Sequence, residues 1–126
     1  MQNSVLIVED EKDIREAITV ALRRQNYQVF NAENGETGLQ LALANEPSLI
    51  LLDLIMPVMN GHMMLDKLRA DSWGQTAKVI VLTSMDDTAD VEATKERDIS
   101  DYIVKSNTSL QEIVKKVDEV LASDKQ

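Results

Sequence analysis

The chain places polar and charged groups at the ends of apolar runs, where packing has no use for them. Glu9 and Asp10 follow SVLIV at 4–8, Asp53 follows SLILL at 48–52, Thr83 and Ser84 follow KVIVL at 78–82, and Lys105 closes DYIVK at 101–105. Three carboxylates drawn into one place repel each other, so such an arrangement persists only beside a cation. Lys105 supplies one positive charge. The remaining deficit suits a hard divalent ion, and Mg2+ favours one or two carboxylates together with waters and phosphate oxygens. A site of that kind admits an anionic phosphoryl group beside a carboxylate, and aspartate is a competent nucleophile toward phosphorus.

For these groups to meet, the runs that carry them must be neighbouring strands with aligned carboxyl ends. The 4–8 run is continuous and β-branched, and helical spacing follows at Ile14, Ala17, Ile18, Ala21 and Leu22. YQVFNA at 27–32 reads as a second strand, and Asn34-Gly35 opens a helix carrying Leu39, Ala42 and Leu43 to a brake at Pro47. After the third strand at 48–52, a helix from about Asn60 puts Met64, Leu65 and Leu68 on one side, and DSWGQT at 71–76 reads as a loop. The fourth strand is 78–82, and the helix predicted over 86–97 has little apolar surface beyond Ala89, Val91 and Ala93. The fifth strand is 101–105. The last helix opens on overlapping capping boxes, Thr108 to Gln111 and Ser109 to Glu112, and shows Leu110, Ile113, Val114, Val117 and Leu121 at helical spacing.

Five strands alternating with five helices predict an α/β domain, doubly wound, with a parallel sheet wrapped on both faces. The hardly alternating first, third and fourth strands fit a sheet covered on both sides, and the more polar second strand belongs at an edge. In such folds, function gathers outside the carboxyl ends of the strands.

Composition narrows the classes. The 126 residues form one domain of ordinary size, expected to be cytoplasmic, without targeting signal, membrane span, repeat or linker. No cysteine is present, which removes disulfides, thiolate metal sites and cysteine nucleophiles, and one histidine makes an imidazole metal site an unpromising reading. A net charge of -9 argues against direct nucleic-acid binding and fits a cation or a basic partner better.

The acidic pair in VEDE, the block DLIMPVMNG beginning at Asp53, LTS with Thr83, and DYIVK with Lys105 resemble, in order and spacing, the response-regulator receiver domains of two-component signalling. The resemblance to this CheY-like family covers the chain from end to end. It implies a (βα)5 flavodoxin-like fold, a five-stranded parallel sheet of order 2-1-3-4-5, and a single receiver domain over 1–126. It further implies that Asp53 is the phosphoacceptor. Mg2+ would be held by Asp10 directly, by Glu9 through water, by Asp53 and by the backbone carbonyl of Ile55. Thr83 would bond a phosphoryl oxygen, Lys105 would pair with the phosphoryl group and with Asp53 before it, and Tyr102 would be a switch aromatic that turns inward as Thr83 is drawn to the phosphate.

The implied partners are a histidine kinase or histidine phosphotransfer protein upstream and a protein target downstream. The output surface would be the 86–97 helix, the fifth strand and the last helix, which would also admit a phosphorylation-dependent dimer; no direct nucleic acid or membrane contact is implied. The domain would not be an enzyme toward other substrates, catalysing only its own phosphotransfer and slow autodephosphorylation. With little chain after the last helix, it is expected to stand alone and act through a partner protein. Two other readings are a receiver-fold binding module that works without phosphorylation and the excised front of a longer regulator. A haloacid-dehalogenase phosphatase would need a second aspartate where Ile55 stands, and a flavodoxin phosphate loop could not be built from VEDEKD.

The chain departs from the family at several positions. Lys105 precedes Ser106 where relatives have proline, and a cis bond there would cost about 2.5–4 kcal/mol, so a trans bond is predicted. Asp98 replaces a usual glycine and is expected to tolerate positive φ. Ile55 and Met85, two residues after Asp53 and Thr83, are apolar and cannot orient a water by hydrogen bonding, so self-dephosphorylation should be slow. Met56, Met59, Met63 and Met64 read as core filling, His62 as exposed, and Trp73 as a cover for the core edge.

Overall fold

The computed structural model describes residues 3–56, 59–83 and 98–122. Five strands, β1 (Ser4–Val8), β2 (Gln28–Ala32), β3 (Leu49–Asp53), β4 (Val79–Thr83) and β5 (Asp101–Val104), form one parallel sheet of order β2-β1-β3-β4-β5. The expected order is found, with β2 at an edge. Four α-helices are described: α1 (Lys12–Arg24), α2 (Gly35–Asn45), α3 (Gly61–Ala70) and α4 (Leu110–Ala122). The helix predicted over 86–97 lies outside the described residues, as do Ser84 and Met85.

Alternation along each strand divides the apolar residues between two layers. Val5, Ile7, Leu49, Leu51, Ile80 and Leu82 face α1 and α4, where they pack with Ile18, Leu22, Ile113, Val117 and Leu121. Leu6, Val8, Ile50, Leu52, Val79 and Val81 face α2 and α3, where Ala42, Met64, Leu65 and Leu68 cover them. Central strands buried on both faces must be apolar at every position, which is why they read as continuous runs. Each buried Leu, Ile or Val contributes about 1.5–3 kcal/mol relative to exposure. That rigid slab is the platform for the groups at its carboxyl edge.

Local signals set the helix ends. Asn34 and Asn60 cap α2 and α3 by accepting from the amides of Thr37 and Met63. α2 stops on Glu46 in the left-handed region (φ 46°), and Pro47 prevents its continuation. Of the two capping boxes, the structure takes Ser109 to Glu112: the Ser109 hydroxyl accepts from the Glu112 amide, and the Glu112 carboxylate accepts from the Ser109 amide. Such a cap is worth about 1 kcal/mol. Asp98 sits at φ 62°, as its turn requires, and the described residues include no cis peptide bond, so Lys105–Ser106 is trans.

Several details differ from expectation. β3 and β4 each run one residue further than predicted, so Asp53 and Thr83 belong to the ladders, while β5 stops at Val104 and Lys105 opens a short 3-10 turn. The 71–76 loop contains a 3-10 turn at Gly74–Thr76, braced by Asp71, which accepts from the amides of Trp73 and Gly74. Trp73 packs on the core as expected. Met56 and Met64 are buried, but Met63 is 47% exposed because it lies on the solvent side of α3. Leu43 likewise faces out, and His62 is half-buried rather than exposed.

Candidate functional site

The sheet register assembles the site. Val8 pairs with Leu52, so the next residues, Glu9 and Asp53, stand side by side at the ends of neighbouring strands. Asp53 in turn pairs with Leu82, and Thr83 pairs with Val104, so Thr83 and Lys105 finish the adjoining strand ends. Glu9, Asp53 and Thr83 are all buried, at 0%, 3% and 4% exposure, whereas Asp10 is exposed at the rim.

Lys105 is the cation among these groups. Its Nζ donates to Glu9 Oε1 at 3.1 Å and to Asp53 Oδ2 at 3.3 Å, and it lies 3.7 Å from Glu11 Oε1. The other Asp53 oxygen, Oδ1, accepts from the Ile55 amide at 3.1 Å, and Glu9 Oε2 accepts from the Glu11 amide at 3.1 Å. Each buried carboxylate is thereby held at both oxygens. One oxygen each from Glu9, Asp10 and Asp53 lies within 4.8 Å of the others, a spacing that one small cation could bridge.

One lysine does not balance this much negative charge. Burial, then hydrogen bonding to Asp53 and its repulsion, pushes the Glu9 carboxyl up to about 8 against the opposing Glu11 amide and Lys105. Burial also raises Asp53, outweighing its hydrogen bond with Glu9 and the Lys105 ammonium. Burial alone would lower Lys105, but Asp53 and Glu9 reverse the direction and hold it protonated. Without a metal both acids therefore hold their protons more readily than free carboxylates do, and three hard oxygen donors gathered in one place fit Mg2+ by their chemistry.

A raised carboxyl has a consequence for stability. The Glu9 contribution is present below its ordinary value of 4.5 and is lost as pH rises through about 8. In a chelating buffer the melting temperature should therefore fall across that window, and Glu9→Gln should flatten the slope. Thermal melts at a series of pH values check this, and parallel profiles for the two proteins would refute it.

The segment after Asp53 is fixed by close approach. The Gly61 amide donates to Leu54 O at 2.9 Å, and a Cβ at Gly61 would lie 2.3 Å from Asp53 O and 2.6 Å from Leu54 Cα. Backbone cannot yield as a side-chain tip can, so Gly61→Ala should cost about 1–3 kcal/mol through overpacking. It should lower the melting temperature by several degrees; an unchanged melt would show that α3 can retreat.

The structure thus brings together Glu9, Asp10, Asp53 and Lys105, with Thr83 on the next strand end. The Ile55 side chain is 56% exposed beside Asp53, and Tyr102 is 45% exposed on edge strand β5, turned to solvent rather than inward. Met85 lies outside the described residues. Two contributors escaped the sequence reading. Glu11 sits in the quoted acidic run but was not separable there from a solvated helix start, and Arg15, whose Nη1 donates to Glu9 O at 2.7 Å and Asp10 O at 3.5 Å, gave no signal.

The family model for the response regulator receiver domain matches residues 5–118. The chain belongs to that family. As a receiver domain it is 40% identical over 101 residues to the response regulator ArlR of Staphylococcus saprophyticus, covering 80% of this chain and 44% of ArlR. It is 36% identical over 121 residues to the transcriptional regulatory protein SrrA of Staphylococcus aureus, covering 96% of this chain and 48% of SrrA. The chain spans about half the length of these curated relatives. Among solved structures, a putative response regulator from Chloroflexus aurantiacus superposes with TM-score 0.89 at 29% identity, covering 97% of this chain and 99% of that one. The receiver domain of sensor histidine kinase PA1611 from Pseudomonas aeruginosa, solved with magnesium coordinated in its active site cleft, shares the fold with TM-score 0.86 at 24% identity, covering 97% and 99%. The receiver domain fold is thereby established, and membership of the family is consistent with two-component signalling.

Proposed function

We propose that this receiver domain accepts a phosphoryl group on Asp53 in a Mg2+-dependent reaction and passes the signal to a protein partner. The observation that carries the reading is the meeting of Asp53 with Lys105 at 3.3 Å inside a cluster of three cation-binding carboxylates. Glu9, Asp10, Asp53 and the Ile55 carbonyl would hold the metal. When bound, Mg2+ would neutralise phosphoryl oxygens and so lower the repulsion between donor and acceptor.

In the transfer, a carboxylate oxygen of Asp53 forms a bond to phosphorus as the phosphorus–nitrogen bond to a phosphohistidine breaks, and the departing imidazole takes the electron pair and then a proton. Lys105 meets the negative charge on the phosphoryl oxygens, and the Thr83 hydroxyl donates to one of them. The Ile55 amide keeps the nucleophile aimed. The product adds about -1.5 to -2 charge units at one end of the sheet, enough to bias an element with two packings, with Tyr102 as the switch side chain.

The donor would be a histidine kinase or histidine phosphotransfer protein, and the output surface would comprise the 86–97 segment, β5 and α4, meeting a protein target or a second copy. No described helix is long and apolar enough to cross a membrane, and we place the domain in the cytoplasm. The test is the intact mass of wild type after incubation with acetyl phosphate, with and without Mg2+. A gain of one phosphoryl group, about 80 Da, that requires Mg2+ supports the reading. No gain by a folded protein would favour a module that docks without phosphorylation.

Ile55 bears on the lifetime. Its side chain has no group to orient an attacking water, so the phosphoryl half-life should be minutes or longer, and Ile55→Asn should shorten it several-fold. Decay followed by mass after removing acetyl phosphate checks this; identical decay in both proteins would refute it.

A further inference from the structure

The acidic loop that would hold the cation is itself held from behind. β1 ends at Val8, and although the Glu9 amide still bonds Ala32 O at 3.1 Å, the carbonyls of Glu9 and Asp10 lie past the ladder. Arg15 of α1 reaches back to both, with Nη1 at 2.7 Å from Glu9 O and 3.5 Å from Asp10 O. The Arg15 amide donates to Glu11 O at 3.0 Å. Its own carbonyl accepts from the hydroxyl of buried Thr19 at 2.7 Å, and that hydroxyl accepts from Asn31 of β2. Side chain and backbone of one residue thus tie three consecutive loop residues to α1, and α1 to the sheet edge.

The two acids of the loop depend on this brace unequally. The Glu9 carboxylate is fixed by Lys105 and the Glu11 amide. Among the described residues no hydrogen bond or ion pair fixes the exposed Asp10 carboxylate, and what holds it there is the backbone at 9–11. Charge-assisted bonds from a planar guanidinium are stronger and more directional than neutral ones, which suits them to fixing a backbone.

We propose that Arg15 is a positioning residue that sets the cation affinity of the Glu9–Asp10–Asp53 cluster by holding the loop so that Asp10 faces the other two acids. The inference rests on the Mg2+ reading above. Groups that orient metal ligands without touching the metal typically change affinity by about 10–100-fold when removed. The competing effect is repulsion, since the Arg15 cation disfavours a second cation nearby, and its loss alone would tighten binding.

Calorimetric titration of MgCl2 into wild type, Arg15→Met and Arg15→Lys separates the two. Methionine keeps an alkyl stem on α1 and deletes the donors; lysine keeps the charge with a single ammonium. The expected result is about tenfold weaker binding for Arg15→Met, an intermediate value for Arg15→Lys, and an acetyl phosphate labelling rate for Arg15→Met that returns close to wild type at saturating Mg2+. Equal or tighter binding by folded Arg15→Met overturns the proposal, as does labelling that stays slow at saturating Mg2+. Should Arg15→Met not fold, Arg15→Lys decides by the same affinity criterion. Wild type that binds no Mg2+ overturns the metal reading together with this inference, whereas wild-type binding matched by the variants overturns this inference alone.

Discussion

Asp53→Asn takes up no phosphoryl mass from acetyl phosphate under conditions in which wild type is labelled. Asparagine is nearly isosteric and can still accept from the Ile55 amide that holds Asp53 Oδ1 at 3.1 Å, so the carboxyl edge of the sheet keeps its shape. Its amide has no carboxylate charge with which to attack phosphorus, and loss should be complete rather than partial. The substitution also removes the charge repulsion that, after burial, helps raise Glu9, so Glu9 should move back toward the ordinary carboxylate range. A second readout follows: added Mg2+ should raise the melting temperature of wild type more than that of the variant. Labelling of Asp53→Asn at the wild-type rate would place the acceptor elsewhere and sink the assignment.

Lys105→Ala should retain cation binding and lose speed. Lys105 lies 3.1 Å from Glu9 and 3.3 Å from Asp53, where it can meet charge on the transferring group. Removing one preorganised donor of this kind costs about 100–1,000-fold in rate, so labelling at saturating Mg2+ should slow by about two orders of magnitude. The metal should bind no more weakly, because a nearby positive charge has been removed. Those two outcomes in opposite directions distinguish loss of transition-state charge stabilisation from collapse of the site. A labelling rate within about tenfold of wild type, short of the usual cost of such a donor, would reduce Lys105 to a counter-ion of the resting state.

Glu11 gives this lysine a further partner. The Glu11 carboxylate is 60% exposed and 3.7 Å from Lys105 Nζ. A solvated pair of that kind is worth little in stability, and its place at the mouth means that an incoming phosphoryl group would compete with it for the same ammonium. Glu9, by contrast, is wholly buried and cannot leave.

Much of this protein is legible in the order of its residues. The apolar runs at 4–8, 48–52 and 78–82 have no alternation, and only a parallel sheet covered on both faces has use for three such strands. Helical spacing, Asn34, Asn60 and Pro47 place α2 and α3 because caps and brakes act within a turn of where they stand. Asp53, Glu9, Asp10, Thr83 and Lys105 could be singled out because a charged or hydroxyl residue closing an apolar run has no packing role.

Other features were decided by tertiary structure alone. Ser109 rather than Thr108 caps α4, because the Thr108 hydroxyl is turned back to donate to Val104 O at 2.7 Å, a contact that neither pattern contains. Gly61 stands at the start of α3 with no positive φ, and its smallness serves the close approach of that helix to the backbone of Asp53 and Leu54. The burial that drives Glu9 to about 8 depends on what covers the strand ends, and Arg15 bonds carbonyls, which every residue possesses and no sequence pattern distinguishes. Short-range chemistry is written in residue types and spacing; burial, charge balance and backbone bonding are sums over neighbours that only the folded chain brings within reach.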